Sequence, residues 1–190
     1  FSEIEFVQGK NRKTLTDVFL QKKLKEIENY PEKMRVARAV SKVLSEFIRG
    51  SEKDEKIWDL VTDFFDKLGN YSLLTANYQL VYYYFLWNFF SVLGYAPQVF
   101  ICSFCKNNLS PGAIYFSAKE SGVICQSCYL TKKDGIKVEA DALKVLRLIF
   151  KKEWDTICKL KMGAECKKSL HEVSDYYHNH LLGFALDRHE

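Results

Sequence analysis

Four cysteines in two C-x-x-C pairs carry the clearest chemical signal in this sequence. Cys102 and Cys105 form the first pair, Cys125 and Cys128 form the second, and nineteen residues separate the pairs. Each pair can turn two thiolates toward one metal ion, and two such pairs supply the four ligands of a zinc site. The spacing therefore predicts one zinc ion per chain.

The predicted site is structural rather than catalytic. Catalytic zinc keeps one coordination position open for water, whereas four cysteine ligands leave none. The zinc deaminase pattern, H-x-E ahead of P-C-x-x-C, is absent, because the first histidine of the chain is His171. A remnant site that is vacant or closed by disulfide bonds is the alternative.

The residues between the pairs have the pattern of two short strands. The segments AIYFSA and VIC flank a turn that contains Gly122, so residues 102–131 are predicted to form a zinc ribbon. Two strands are rarely stable alone, and structural zinc contributes about 10 to 16 kcal/mol in small modules. We therefore expect the metal to stabilise this segment.

The remaining reactive side chains form no catalytic pattern. Cys158 and Cys166 are interpreted as semi-buried cysteines, and His178 and His180 as solvent-facing, since residues two apart on a helix point to nearly opposite sides. No Ser-His-Asp order, GxSxG, P-loop or GxGxxG occurs. The sequence predicts a protein that is not an enzyme.

The elements around the cysteines are predicted to be mainly α-helical. Residues 1–13 alternate like one short strand, and apolar residues then recur at helical spacing. Helices are expected over these segments: Thr14 to Pro31, Pro31 to Arg49, Ser51 to Gly69, an aromatic helix closing at Gly94, Asp141 to Leu160, and a last helix with Leu170, Val173, Tyr177, Leu181 and Phe184 buried. The predicted fold is a helical bundle, residues 14–101 and 132–190, with the zinc module of residues 102–131 inserted.

The aromatic helix raises the question of a membrane span. Residues 71–101 contain no charged side chain, and this run is long enough in principle to cross a bilayer. Its most apolar part, Leu80 to Leu93, is shorter than about twenty residues, and polar residues such as Asn77 and Asn88 interrupt it. The pattern favours a helix surrounded by other helices, not a membrane span.

Composition and charge place only loose bounds on function. The chain has 190 residues, 47% of them hydrophobic, which suits one domain or two small ones. Paired cysteines and no visible secretory signal indicate a reducing, cytoplasmic location. The net charge of +4 is too small to indicate nucleic-acid binding alone, although residues 10–42 hold ten Lys and Arg against four acids. Ordinary solvated helix faces would also explain that excess.

The run NFFSVLGYAPQVFICSFCKNNL resembles the bacterial recombination mediators of the RecO family, as does the closing segment DYYHNHLLGF. The similarity covers essentially the whole chain. It implies that residues 1–13 are the end of an N-terminal OB-fold, which precedes a helical domain with an inserted zinc module. One departure is Lys106, since such chains usually carry Gly after the second cysteine; Asn107 or Asn108 is expected to take the left-handed conformation instead.

The resemblance implies a non-catalytic mediator that binds single- and double-stranded DNA and anneals complementary strands. It would act with RecR to load RecA onto DNA coated by single-stranded-DNA-binding protein, with no small-molecule substrate. Phosphate contacts are expected from six basic residues near the OB-fold edge and on the first helix: Lys10, Arg12, Lys13, Lys22, Lys23 and Lys25. The acidic, Phe-ended tail of single-stranded-DNA-binding protein is expected to dock near Arg35, Arg38 and Lys42.

A zinc-finger regulator with sequence-specific DNA binding is the competing hypothesis. Paired C-x-x-C motifs followed by basic residues also occur in such proteins, and Lys132, Lys133 and Lys137 follow Cys128 closely. A regulator should prefer one DNA site by about a thousandfold or more, whereas a mediator should bind DNA without sequence preference.

Overall fold

The computed structural model describes residues 2–10, 12–21, 24–48, 53–70, 78–110 and 112–187, with side chains as far as residue 183 in the last segment. Several sequence predictions fall outside these ranges: those for Lys22, Lys23, Arg49, Ser51 and the side chain of Phe184.

The chain begins with an exposed antiparallel hairpin. Strand β1 (Ser2–Gln8) pairs with β2 (Lys13–Leu20), and every residue of both strands is exposed. The predicted strand near the N-terminus is confirmed, but the predicted helix starting at Thr14 is wrong. The register shifts between Glu5 and Phe6, so that Phe6 faces Leu15 while Glu5 faces Asp17. The hairpin therefore crosses the boundary predicted at residue 13.

Four helices follow the hairpin and form the first part of the bundle. After the short α1 (Lys25–Glu28), α2 (Pro31–Phe47) begins with a proline. The N–H groups of a helix's first turn have no acceptor within the helix, so the N–H that proline lacks costs no hydrogen bond there. Helix α3 (Glu55–Asn70) begins where the side chain of Asp54 accepts a 3.1 Å hydrogen bond from the Ile57 N–H. Helix α4 (Tyr78–Val92) is the aromatic segment.

Helix α4 is the centre of the core. Phe85, Trp87, Phe89 and Phe90 are fully buried, and their rings contact residues of α2, α3 and the C-terminal half of the chain. This confirms the interpretation of a helix surrounded by other helices. Within the described residues, no helix combines the length and the apolar character that crossing a bilayer requires.

The cysteine module folds as a small sheet with one helix. Strands β3 (Ile114–Ser117) and β4 (Gly122–Cys125) form the predicted hairpin, followed by α5 (Gln126–Lys132). A third strand, β5 (Ile136–Val138), pairs with the other edge of β3 and was not predicted. The sheet order is therefore β4-β3-β5.

Three helices close the bundle. Helix α6 (Ala140–Phe150) ends at a turn in which Lys152 has φ of +58°, and α7 (Trp154–Cys158) follows. The single helix predicted over residues 141 to 160 is therefore wrong, because a left-handed residue breaks the helical hydrogen bonds. Helix α8 (Ala164–Asp187) packs Leu170, Val173 and Tyr177 into the core, as predicted.

Candidate metal centre

The first cysteine pair lies on a hydrogen-bonded turn. The Cys102 N–H donates to the Asn107 carbonyl at 2.9 Å, and the Lys106 N–H donates back to the Cys102 carbonyl at 2.9 Å. Lys106 closes this turn with φ of +62°. The prediction that Asn107 or Asn108 takes the left-handed conformation is thus wrong. The Lys106 ammonium donates to the Ser103 carbonyl, which ties its side chain to the turn.

The second pair lies where β4 passes into α5. Cys125 is the last residue of β4, and Cys128 lies in the first turn of α5. The strand-to-helix junction therefore turns both side chains toward the first pair.

The four sulfur atoms meet at one point. All four Sγ atoms lie within 4.8 Å of one another, and those of Cys105 and Cys125 are 4.0 Å apart. Zinc–thiolate bonds of about 2.3 Å in tetrahedral geometry require sulfur separations of about 3.8 Å. The four cysteines can therefore hold a metal ion. All six cysteines of the chain are free thiols, so the disulfide alternative is not observed.

The surroundings of the cluster favour thiolates unequally. Burial opposes charge on Cys102, but backbone N–H groups of Cys125, Cys105 and Phe104 outweigh it and lower the pKa of Cys102 to about 6. Burial and neighbouring thiols raise the pKa of Cys128 to about 12. Without a cation, the cluster therefore cannot carry four thiolates, and metal binding would release protons.

The module is hydrogen-bonded to the chain segment that leaves α4. The Gln98 N–H donates to the Ser121 carbonyl at 2.9 Å, and the Val123 N–H donates to the Gln98 carbonyl at 2.8 Å. Gly122 lies between them with φ of +151°, and a Cβ there would lie 2.2 Å from the Gln98 oxygen. Only glycine allows this contact, which positions the second cysteine pair against the first.

The other cysteines and histidines lie away from the cluster. Cys158 is half-buried, as predicted, whereas Cys166 is buried more deeply than predicted, and burial raises the pKa of both thiols. The prediction that His178 faces solvent is wrong. Its ring lies 5.5 Å from that of Phe47, and its Nε2 lies 3.1 Å from a Glu46 carboxylate oxygen. The residue thus helps join α8 to α2.

Three of the predicted DNA-contacting residues lie close together. Lys10, Arg12 and Lys13 are exposed at the turn of the β1–β2 hairpin, where the Lys13 ammonium lies 4.7 Å from the centre of the Phe6 ring. Lys25 is exposed at the start of α1. The structure shows these positions but not a DNA contact, so the assignment stays a prediction.

The predicted partner-binding residues are all exposed on α2. Arg35 is 3.2 Å from Glu32, and Lys42 is 3.7 Å from Glu46. Arg35 also lines a groove of about 670 Å³ between α2, α4 and α8.

The tail was expected to dock in an apolar pocket with basic residues beside it, but the residues of the groove's apolar and aromatic wall were not identified from the sequence. Val36, Tyr82 and Tyr83 line it, with His171 and Asp175 on the α8 side. Nothing in the helical periodicity of α4 distinguishes the two tyrosines, because that helix is apolar all round.

Comparison with known proteins supports one family. The family model described as "Recombination protein O C terminal" matches residues 29–189. A protein of Dehalococcoides mccartyi named DNA repair protein RecO is 26% identical over 170 residues, which cover 90% of this chain. A protein of the same name from Caldanaerobacter subterraneus subsp. tengcongensis is 25% identical over 179 residues, which cover 92% of this chain and 69% of the relative.

The chain matches only part of these relatives. The alignment covers 65% of the Dehalococcoides mccartyi protein, slightly less than two thirds of its length. A further relative from Halalkalibacterium halodurans, also named DNA repair protein RecO, is 27% identical over 97 residues, which are 51% of this chain.

Proposed function

This chain belongs to the RecO family, and we propose that it serves in DNA repair and homologous recombination as a non-catalytic mediator that binds single- and double-stranded DNA and anneals complementary strands. The observation that carries the proposal is the family match over residues 29–189. The curated relatives, all named DNA repair protein RecO, support the same role.

The metal in this proposal is zinc, held by Cys102, Cys105, Cys125 and Cys128. The close approach of the four sulfur atoms supports it. Zinc bound by four thiolates has no open position, so its contribution is to hold the two turns of the module together. The metal ion itself would contact neither DNA nor a partner.

DNA phosphates are proposed to contact the hairpin turn. Lys10, Arg12 and Lys13 are three cations on one short turn, and all are exposed. An exposed cluster of cations of this kind binds phosphate backbones without reading the base sequence, and its affinity falls steeply with salt. Lys22, Lys23 and Lys25 would extend this contact along the chain.

The groove between α2, α4 and α8 is proposed as the site for the tail of single-stranded-DNA-binding protein. An apolar side chain would pack among Val36, Tyr82 and Tyr83, while Arg35 at the rim would meet a carboxylate. Arg38 and Lys42 are exposed nearby on the same helix and would attract an acidic peptide. RecR is proposed as the second protein partner, with which the chain would load RecA.

The DNA proposal is tested with one charge reversal and a matched control. Fluorescence anisotropy on single- and double-stranded oligonucleotides of several sequences is measured over a range of salt for the unmodified chain, Arg12→Glu and Lys53→Glu. Lys53 is equally exposed but lies just before the acidic helix α3. Arg12→Glu should weaken binding to every sequence and reduce the slope of log affinity against log salt concentration by about 1. Lys53→Glu should change neither the affinity nor the slope.

Strand annealing is then followed by fluorescence energy transfer between complementary labelled strands. The unmodified chain should speed annealing, and Arg12→Glu should slow it. A preference of about a thousandfold for one DNA sequence would instead support the zinc-finger regulator. Chains that neither bind nor anneal DNA would contradict the mediator role.

The tail proposal has its own experiment. Titration with a short acidic peptide that ends in Phe should give binding to the unmodified chain and about tenfold weaker binding to Arg35→Glu. Lys25→Glu, which makes the same charge change away from the groove, is the control. Equal affinity of Arg35→Glu and the unmodified chain would remove the groove from the proposal.

A further inference from the structure

Two aromatic side chains are exposed at the zinc module, one within it and one just before it. Phe100 and Phe104 are each 44% exposed, although most phenylalanines of the described residues lie in the core. Phe104 occupies the turn between two metal-binding cysteines, and Phe100 lies four residues earlier. Four residues of chain span at most about 14 Å, so the backbones of the two residues lie within that distance of each other.

The exposure of these rings is not needed for the fold. Phe104 belongs neither to the buried core of the bundle nor to the buried cluster of the module, which consists of Cys102, Ile124 and Cys128. Exposing a large apolar ring forgoes the stabilisation that burial would provide. Two exposed aromatic rings only four residues apart therefore form a candidate interaction surface.

Each ring has a cation beside it. The Lys132 ammonium lies 4.0 Å from the centre of the Phe104 ring, and the Arg147 guanidinium lies 6.0 Å from that of Phe100. Arg147 is held in place, because its Nε donates a 2.8 Å hydrogen bond to the Val99 carbonyl. We call Phe100, Phe104, Lys132 and Arg147 the knuckle surface. It combines rings for stacking with cations for phosphates, which is the combination found in single-strand-binding sites.

The charge around the knuckle surface is moderate. Lys119 and Lys132 pair with Asp134 and Glu120, at 3.8 and 3.2 Å. Lys106, Lys133 and Lys137 are not in any ion pair between described residues. A zinc ion with four thiolates would carry a net charge of about −2 at the centre of the module. Binding here would therefore depend more on stacking than on charge.

We infer that the knuckle surface binds single-stranded DNA by stacking unpaired bases on Phe104 and Phe100. The inference rests on the proposed mediator function. It adds a second DNA contact, separate from the one at the basic hairpin turn. Paired bases are stacked on each other in a duplex, so this surface distinguishes single strands from duplexes. Base stacking on the rings depends little on salt, whereas the phosphate contacts of the hairpin turn weaken as salt rises.

The experiment compares oligothymidylate with a duplex of the same length, using the 190-residue chain loaded with zinc. Phe104→Ala should weaken single-strand binding by about tenfold and leave duplex binding unchanged. Phe104→Leu keeps the apolar bulk without the ring, so its affinity for the single strand should fall as much as that of Phe104→Ala. Phe104→Trp should retain the affinity, and its added fluorescence should be quenched by the single strand.

Leu130→Ala is the matched control, since Leu130 is a large apolar side chain on the same module, 65% exposed. Zinc content and melting temperature are measured for every variant, so that a loss of fold is recognised. Equal single-strand affinity of Phe104→Leu and Phe104→Trp would overturn the stacking inference alone. Failure of the unmodified chain to bind single strands would overturn both the inference and the mediator function.

Discussion

The Trp87 indole N–H donates a 3.1 Å hydrogen bond to the Ser174 hydroxyl, and the two side chains lie fully buried in the middle of the bundle. Ser174 in turn donates to the Leu170 carbonyl at 2.7 Å. The bond joins α4 to α8 across the point where the inserted module separates the two halves of the helical region. Both halves therefore share one core.

Ser174→Ala is expected to lower the free energy of unfolding by about 1 to 3 kcal/mol, because it leaves a buried indole N–H without an acceptor. Urea denaturation followed by circular dichroism measures the loss. The double variant Trp87→Phe with Ser174→Ala tests the cause. If the hydrogen bond matters, the two losses should not add. Additive losses would indicate that only packing had changed.

Much of this fold could be predicted from apolar spacing and from the cysteine pairs. Among the described residues, α2 begins at the predicted Pro31, and α3 and α4 end within about two residues of the predicted Gly69 and Gly94. A stripe of apolar residues with a proline or a capping acid at its start leaves few alternatives. The convergence of four cysteines was predictable for a similar reason, since each C-x-x-C turn directs two thiolates to one side.

The segment after residue 13 shows why spacing can mislead. Leu15, Val18 and Phe19 are three and four apart, as on a helix, yet they lie in β2. The irregularity opposite Glu5 and Phe6 adds one residue to β2, so the alternation of a strand is interrupted and resembles a helical period. The partner strand, and not the local sequence, decides the conformation.

Two turns adopt a backbone conformation that their residue types do not indicate. Lys106 and Lys152 both adopt positive φ, a conformation that favours glycine or asparagine. In the first turn, the Lys106 N–H bonds to the Cys102 carbonyl, and in the second the Lys152 N–H bonds to the Ile149 carbonyl at 2.9 Å. Both bonds join backbone groups within the turn itself, so the types of the side chains do not display them.

Removal of one metal ligand should affect stability first. Cys105→Ser is expected to lose its metal and to melt about 10 °C lower, because a loss of about 3 kcal/mol shifts a domain of this size by that amount. Cys158→Ser, a half-buried cysteine outside the cluster, is the control and should keep its metal. Elemental analysis and thermal melting measure both effects. Less than half a zinc ion per unmodified chain would contradict the zinc site.

Alkaline pH should destabilise the bundle through buried tyrosines. Burial, with a smaller effect of Asp175 and Glu46, raises the pKa of Tyr82 to about 12, and burial also raises that of Tyr83. A tyrosine in the unfolded chain has a pKa of about 10. The neutral, buried Tyr82 therefore contributes its full stabilisation below pH 10, and this contribution is lost as the pH rises through 12. The free energy of unfolding should fall over this range.

Tyr82→Phe tests this assignment, since phenylalanine cannot ionise. The variant should avoid about 2 kcal/mol of the loss at pH 12, because one pKa unit corresponds to about 1.4 kcal/mol. Denaturation at pH 8 serves as the reference, and tyrosinate absorbance reports ionisation directly. An identical decline for the variant and the unmodified chain would assign the loss to other groups.

Gly122→Ala should disrupt the contact that holds the metal module to the bundle. An added methyl group would lie 2.2 Å from the Gln98 carbonyl oxygen and 2.4 Å from the Ser103 hydroxyl, and φ at this position is +151°. Neither the backbone oxygen nor the backbone conformation can adapt without loss of the bonds from Gln98 to Ser121 and Val123. We expect a destabilisation of about 2 to 4 kcal/mol, with weaker metal retention.

Gly183→Ala is the matched control, because Gly183 lies in α8 with no atom within 4 Å of the added methyl group. It should be neutral or stabilise by up to about 1 kcal/mol, since alanine favours a helix over glycine. Thermal melting and metal content distinguish the two variants; equal stability and equal metal content would show that the module does not depend on the contact between Gly122 and Gln98.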